Sequence, residues 1–338
     1  MTQAAPAAGR ELLDGLVPAG TGVAVVAPCG HAGVDPQRVG RGVALLESLG
    51  CRVRNFYDHE TRYQRFGATD ERRAAQLMEA ATDPDIDVIL GLRGSYGMSR
   101  ILPALDIPAL ASCGKLLVGY SDFTALQFAL LKQSGLGGFQ GPMLAGDFGA
   151  EQPDWQALAT MWKTLTSPQT VVRNYTGAAG ADRAPNGDRR TDPASPTLCC
   201  EGKLWGGNLA MVAHMIGNPW FPQIDGGILY LEDVNEHPFR VERMMLQLEQ
   251  AGVLARQKAI VLGDFSAYRL VDIDNGYDFG EMLAFLRARI ATPIVTGLPF
   301  GHVRDLVTLP LGAHAVLEAQ GATGFTLTLS DYPTLRRA

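Results

Sequence analysis

Along the first 150 residues, apolar positions alternate between short unbroken runs and longer stretches with helical spacing. The runs "GVAVVAP" (22–28), "DVILGLRG" (87–94) and "KLLVGY" (115–120) have the length and composition of buried strands, and "CRVRNF" (51–56) is a further strand. Between them, "DPQRVGRGVALLESLG" sets Val39, Val43 and Leu46 on one helical face, and Gly50 is its stop signal. "TDERRAAQLMEAAT" (69–82) opens with acidic residues, which suit a helix N-terminus. "DFTALQFALLKQSG" (122–135) is an apolar helix closed by Gly135. Strands alternating with helices predict an α/β fold with a doubly wound parallel sheet. Such sheets bind ligands at the carboxyl ends of their strands, where both "GLRGSYG" (91–97) and "GYSD" (119–122) fall.

The rhythm breaks from about 172 to 197, where a polar stretch rich in Gly, Pro and Asp lacks periodicity and reads as a linker or mobile loop. A second pattern starts near residue 198. It holds an apolar helix after "GGN", the strand "GGILYLED" (226–233), and a helix with Val241, Met244, Met245 and Leu248 at core spacing. The strands "AIVLGDF" (259–265) and "TPIVTGLPFGH" (292–302) follow, then a hairpin of "HAVLEA" and "FTLTLS" joined by "QGATG". The expected organisation is an α/β domain over 1–150, a linker region over 151–197 and a second α/β domain over 198–338.

Composition narrows the function classes. Of 338 residues, 46% are hydrophobic and 19% charged, and 29 basic against 35 acidic residues give a net charge of −6. No Lys/Arg block appears, which argues against a nucleic-acid partner. No segment approaches the ~18 apolar residues of a membrane span, and the N-terminus does not read as a secretion signal. The five cysteines form no C-x-x-C pair, and free thiols in a reducing cytoplasm are expected. No His/Cys/Asp set has ligand spacing, so neither metal nor cofactor is expected.

Ser121 lies where a strand-to-helix turn pushes a side chain out of a sheet; it is a nucleophile or a helix N-cap. A nucleophilic serine needs a base and an acid that orients it. Of six histidines, His302 directly follows a strand and a Pro/Gly turn; His214 lies in an apolar helix and reads as packed; the others carry no partner signal. Glu232 ends an apolar strand, where a carboxylate is costly unless functional or paired, with Arg240 or Arg243 as the structural alternative. Backbone N–H groups at Asp122 and in the glycine turn around Gly94 could hold an oxyanion. Arg93 and Arg240 could fork onto a substrate carboxylate, or form ordinary ion pairs. Asn208 could line the site or cap the following helix.

Together, "LRGSYGMSRILPALD", "VGYSDFTALQ", "GPM", "GKLWGGNL", "GGILYLEDVNEHPFRVERMMLQLEQAG", "VLGDF" and "GLPFGH", in this order, resemble the LD-carboxypeptidase family of serine peptidases. That family includes muramoyl-tetrapeptide carboxypeptidases and microcin C self-immunity peptidases. The resemblance implies a flavodoxin-like N-terminal domain, a C-terminal α/β domain, a site in the cleft between them and a homodimer. It also implies a triad of Ser121, Glu232 and His302, with the N–H groups of Gly94 and Asp122 as oxyanion hole. A cytoplasmic enzyme of this kind would release terminal D-alanine from imported murein tetrapeptides, at the bond after diaminopimelate or lysine. Its partner is a small peptide, with no nucleic acid and no membrane; aminoacyl nucleotides are the alternative substrate. One departure is Ser95 in "RGSYG", where the family more often has a second glycine.

Two rival readings come from other classes. A dinucleotide oxidoreductase could use "GLRGSYG" as a phosphate loop, but "APCGHAGVD" after the first strand is not G-x-G-x-x-G. A two-domain ligand-binding protein has no need of "GYSD" with a matching Glu and His.

Overall fold

The computed structural model describes residues 7–33, 35, 37–174 and 194–335. In chain order the strands are β1 (Gly22–Val26), β2 (Arg52–Asn55), β3 (Val88–Gly91), β4 (Leu116–Val118), β5 (Gly138–Gln140), β6 (Gln169–Arg173), β7 (Thr197–Asn208), β8 (Ile228–Val234), β9 (Ala259–Ser266), β10 (Ile294–Thr296), β11 (Leu309–Leu311), β12 (His314–Gln320) and β13 (Phe325–Ser330). They form two sheets, ordered β11-β5-β4-β3-β1-β2 and β10-β9-β8-β7-β12-β13-β6. The protein is a mixed α/β fold with two compact units.

The first unit comprises the chain up to Pro168, Val307–Leu311 and the stretch from Tyr332. Its strands β2, β1, β3, β4 and β5 run parallel, and β11 joins β5 antiparallel at the edge. The apolar runs become the central strands because burial on both faces tolerates only apolar side chains; β1 and β3 are buried throughout. The expected helices appear as Gln37–Ser48, Asp70–Thr82 and Thr124–Ser134. Gly135 ends the last in the left-handed conformation (φ +83°).

The second unit, Gln169–Leu306 with Gly312–Asp331, is divided by its long strand. From β7 outward, β8, β9 and β10 are parallel, whereas β12, β13 and β6 pair antiparallel on the other side. The hairpin expected from "QGATG" is the β12–β13 pair.

These boundaries differ from a division at 150 and 197. Residues Trp155–Thr166 form a helix of the first unit, capped by Asp154 and burying Leu158, Met161, Trp162 and Leu165. β6 belongs to the second sheet, and β11 returns to the first. Edge pairings of three to five residues are set by distant partners, so local periodicity does not show them. The stretch expected as a loop over 172–197 falls mostly outside the described residues; within it, Val172 and Arg173 end β6 and Thr197 begins β7. Among the described residues, no helix is long and apolar enough to cross a membrane.

Candidate active site

In the first unit, two turns meet at the carboxyl ends of the adjacent parallel strands β3 and β4. Ser121 opens a 3-10 turn, Ser121–Phe123, and its φ is +63°, a left-handed conformation that serine rarely adopts. It is not the helix cap: the helix starts at Thr124, Phe123 occupies the cap position, and no side chain caps there. The N-cap alternative is therefore excluded. Phe123, wholly buried, locks the turn. Its ring fills the space that a Cβ on Gly91 or Gly119 would take, 2.9 and 2.7 Å away.

Gly94 lies against the serine itself. A Cβ there would stand 2.7 Å from Ser121 Cβ and 2.9 Å from Oγ, so only glycine brings its backbone this near. Asp122 fastens the two turns: its buried carboxylate accepts from the Met98 N–H at 2.8 Å. Beneath it, the Cys29 thiol is hydrogen-bonded to Asp122; burial, and next the carboxylate's charge, push the thiol well above its ordinary pKa. Cys29 is thus kept protonated and inert.

The second unit holds a cluster of carboxylates. Glu232 and Asp233 lie near the end of β8, before Val234, and the ladder to β9 slips between Leu231 and Asp233, leaving an extra residue on β9. Gly263, in that bulge, leaves room for the Phe300 carbonyl, 2.3 Å from where a Cβ would stand. This close passage carries the chain to Gly301 and His302, so "VLGDF" and "PFGH" are two sides of one contact. His302 Nδ1 lies 2.8 Å from Glu232 Oε2, with the carboxylate fully buried and the imidazole side chain 22% exposed. Nδ1 is thus the ring nitrogen on the carboxylate side, and Nε2 the one that the Glu232 contact does not engage.

Asn208, opposite Glu232 in the β7–β8 ladder, completes the cluster. Its Oδ1 accepts from Met211 N at 3.2 Å, capping helix Leu209–His214, which turns Nδ2 toward the acids. Nδ2 donates to Asp233 Oδ1 at 2.9 Å and to Glu232 Oε1 at 3.3 Å. Asp233 also accepts from the N–H groups of Ala210 and Val234, both at 2.8 Å. Burial, and secondarily the neighbouring Glu232 charge, push its pKa up to about 6.

The other sequence candidates separate. Arg240 forms an i,i+4 ion pair with Glu236 at 2.6 Å on a half-exposed surface. Arg93 donates to the His31 carbonyl at 3.3 Å. His214, expected to be packed, is exposed, because only the Leu209, Val212 and Ala213 side of its short helix is buried. Other histidines do have partners: His237 meets Asp274 at 3.0 Å, and His59 meets the Tyr57 hydroxyl at 3.1 Å. Asp233 escaped the sequence reading, although two adjacent acids ending an apolar strand were a visible signal.

Family models for the LD-carboxypeptidase N-terminal and C-terminal domains match residues 23–141 and 201–317. The chain belongs to the LD-carboxypeptidase family. The first model spans the Ser121 and Gly94 turns, and the second spans Asn208, Glu232 and His302. Family membership makes the protein a hydrolase of the carboxypeptidase class. The murein tetrapeptide carboxypeptidase of Pseudomonas aeruginosa is 31% identical over 88% of this chain and 92% of its own length. The solved muramoyltetrapeptide carboxypeptidase of Oxalobacter formigenes is 46% identical, with a TM-score of 0.84 over 93% of this chain and 100% of that one. The microcin C7 self-immunity protein of Escherichia coli is 28% identical over 82% of this chain and 84% of its length.

Proposed function

We propose that the protein is a serine LD-carboxypeptidase that releases terminal D-alanine from murein tetrapeptides. The observation that carries this reading is the His302–Glu232 contact through Nδ1, which leaves Nε2 to act as the base when Nδ1–H donates to the carboxylate, as a serine hydrolase requires. The strained Ser121 beside Gly94 supports it from the first unit, where the strand order 2-1-3-4-5 also fits a flavodoxin-like domain. The reading requires both clusters to face one substrate, in the inter-domain cleft that the resemblance implies.

In this mechanism Ser121 Oγ attacks the carbonyl of the third residue as its proton passes to His302 Nε2. Glu232 holds the imidazole and stabilises its cation. The backbone N–H groups of Gly94 and Asp122 receive the oxyanion, each such donor contributing roughly 3 kcal/mol. Collapse breaks the C–N bond, and Nε2–H protonates the departing D-alanine amine. A water then loses a proton to Nε2 and attacks the acyl-enzyme; the ester C–O bond breaks, Nε2–H returns the proton to Ser121 Oγ, and the tripeptide is freed. Asn208 fixes Glu232 rather than touching substrate.

The five free cysteines, two of them buried, suit a reducing cytoplasm, where imported muropeptides are recycled. A homodimer follows from the resemblance. Sedimentation of the purified chain tests that point: a single species at monomer mass defeats it. Aminoacyl-nucleotide cleavage is the second reading, carried by the 28% identity to the microcin C7 self-immunity protein. The deciding experiment incubates the enzyme with murein tetrapeptide and with an aminoacyl sulfamoyl adenylate, and reads product masses. Loss of D-alanine from the tetrapeptide is expected; rapid cleavage of the adenylate alone defeats the murein reading.

A further inference from the structure

Three segments of the first unit are laced together beside the nucleophile turn. Gly30 N donates to Gly94 O at 3.1 Å, and His31 N donates to Arg65 O at 3.2 Å. Arg65 sits on a tight turn closed by reciprocal bonds between Tyr63 and Phe66, at 3.1 and 2.9 Å, with Gln64 left-handed (φ +56°). Phe66 is buried and anchors the turn, the guanidinium groups of Arg73 and Arg100 lying 4.3 and 4.8 Å from its ring centre. The backbone of Arg65 is therefore fixed while its side chain is exposed. Arg65 Nη2 donates to Ser95 Oγ at 3.0 Å, and the guanidinium lies 5.9 Å from the centre of the exposed Tyr96 ring.

Two features set this place apart. Ser95 is left-handed (φ +87°), a conformation in which serine is strained and glycine is not. The strained residue supplies the hydroxyl that holds Arg65, a contact glycine could not make. The second feature is charge. Arg41, Arg54, Arg73, Arg100 and Arg289 each sit on a carboxylate. Arg65 and Arg93 instead hydrogen-bond to neutral acceptors, the Ser95 hydroxyl and the His31 carbonyl, as Arg10 and Arg62 do elsewhere. Two guanidinium groups thus lie on these laced segments, Arg65 on the Ser95 hydroxyl and Arg93 on the carbonyl of His31, whose N–H is bonded to Arg65 O and whose neighbour Gly30 is bonded to Gly94.

We propose that Arg65 and Arg93 form a subsite for a free carboxylate of the substrate peptide, with Ser95 as the positioning residue that aims Arg65. This rests on the murein reading above and adds to it the group that is recognised. Guanidinium forks match carboxylates, and a cation already neutralised by a protein acid would add little. A murein tetrapeptide offers up to three such carboxylates: the terminal D-alanine, the side chain of a diaminopimelate third residue, and the α-carboxyl of the γ-linked glutamate.

The test measures kcat and KM of wild type and Arg65→Gln on the diaminopimelate tetrapeptide and on three analogues. These are the C-terminal amide, the lysine-containing peptide and the isoglutamine-containing peptide. Arg65→Gln should lower kcat/KM on the full substrate at least tenfold, chiefly through KM. On the one analogue lacking the recognised carboxylate, wild type and variant should become equal, which names the source. Ser95→Gly, which suits the local backbone, should fold normally and give a smaller, severalfold rise in KM. An unchanged kcat/KM in Arg65→Gln, or the same loss on all three analogues, overturns the subsite. If the wild type cleaves none of the peptides, the murein reading falls and takes the subsite with it. Cleavage that ignores Arg65 overturns the subsite alone.

Discussion

The two clusters are built by opposite means. Around Ser121 the chain stores backbone strain: the serine is left-handed, its neighbour Gly94 has no side chain to spare, and the ring of Phe123 wedges the turn in place. Around His302 the irregular backbone, a bulge and a positive φ, is taken up by Gly263 and Gly301, and the cost is electrostatic. Two carboxylates are buried side by side, share one amide donor, and one of them has its pKa pushed up to about 6. Strain of this kind sits in one residue's backbone and does not titrate, whereas the charge cluster is coupled and responds to pH.

The largest expected effects break each cluster at its reactive atom. Ser121→Ala should abolish hydrolysis, and His302→Ala or Glu232→Gln should lower turnover by about three to four orders of magnitude, as loss of the orienting acid does in serine proteases. Combining them should add little further loss. Single-turnover assays on the tetrapeptide check this, and wild-type turnover in any of the three would remove that residue from the mechanism.

The next effect belongs to the charge cluster alone. Asp233 has a folded pKa of about 6, against about 3.9 for an unfolded aspartate, so between these values the native state binds more protons. Its contribution to stability is complete below pH 4 and is lost as pH rises through 6, by about 3 kcal/mol. Asp233→Asn lacks this slope. Urea midpoints from pH 4 to 7 should therefore show the wild type losing stability relative to the variant; parallel curves refute the assignment.

Ser121→Gly sharpens the strain side. It is expected to be as inactive as the alanine variant and about 1 kcal/mol more stable than the wild type, because glycine accepts positive φ without penalty. A melting temperature at or below that of Ser121→Ala contradicts stored strain.

The smallest effect is expected at Arg240, a surface i,i+4 pair with Glu236 worth about 0.5 kcal/mol or less. Arg240→Ala should change kcat/KM less than twofold. A tenfold loss would return Arg240 to the list of residues that hold the substrate carboxylate.

Much of the molecule is legible in its sequence. Short apolar runs with glycine beside them determined β1, β3, β4 and β8, since a strand buried on both faces admits little else. Helical spacing and capping determined Asp70–Thr82 and Thr124–Ser134 to within a residue or two. The motif order also singled out Ser121, Glu232 and His302. Tertiary structure alone decided the rest. The left-handed turn at Ser121 packs the ring of Phe123 over Gly91, which lies on the neighbouring strand β3, as well as over the local Gly119. The Glu232–His302 bond spans 70 residues and depends on a bulge opposite Glu232 that no local pattern encodes. The short strands β6 and β11 took their sheets from edge pairing with β13 and β5. Local sequence sets backbone propensity and which face is apolar; partners across a fold are chosen by packing and charge that exist only once the chain has closed on itself.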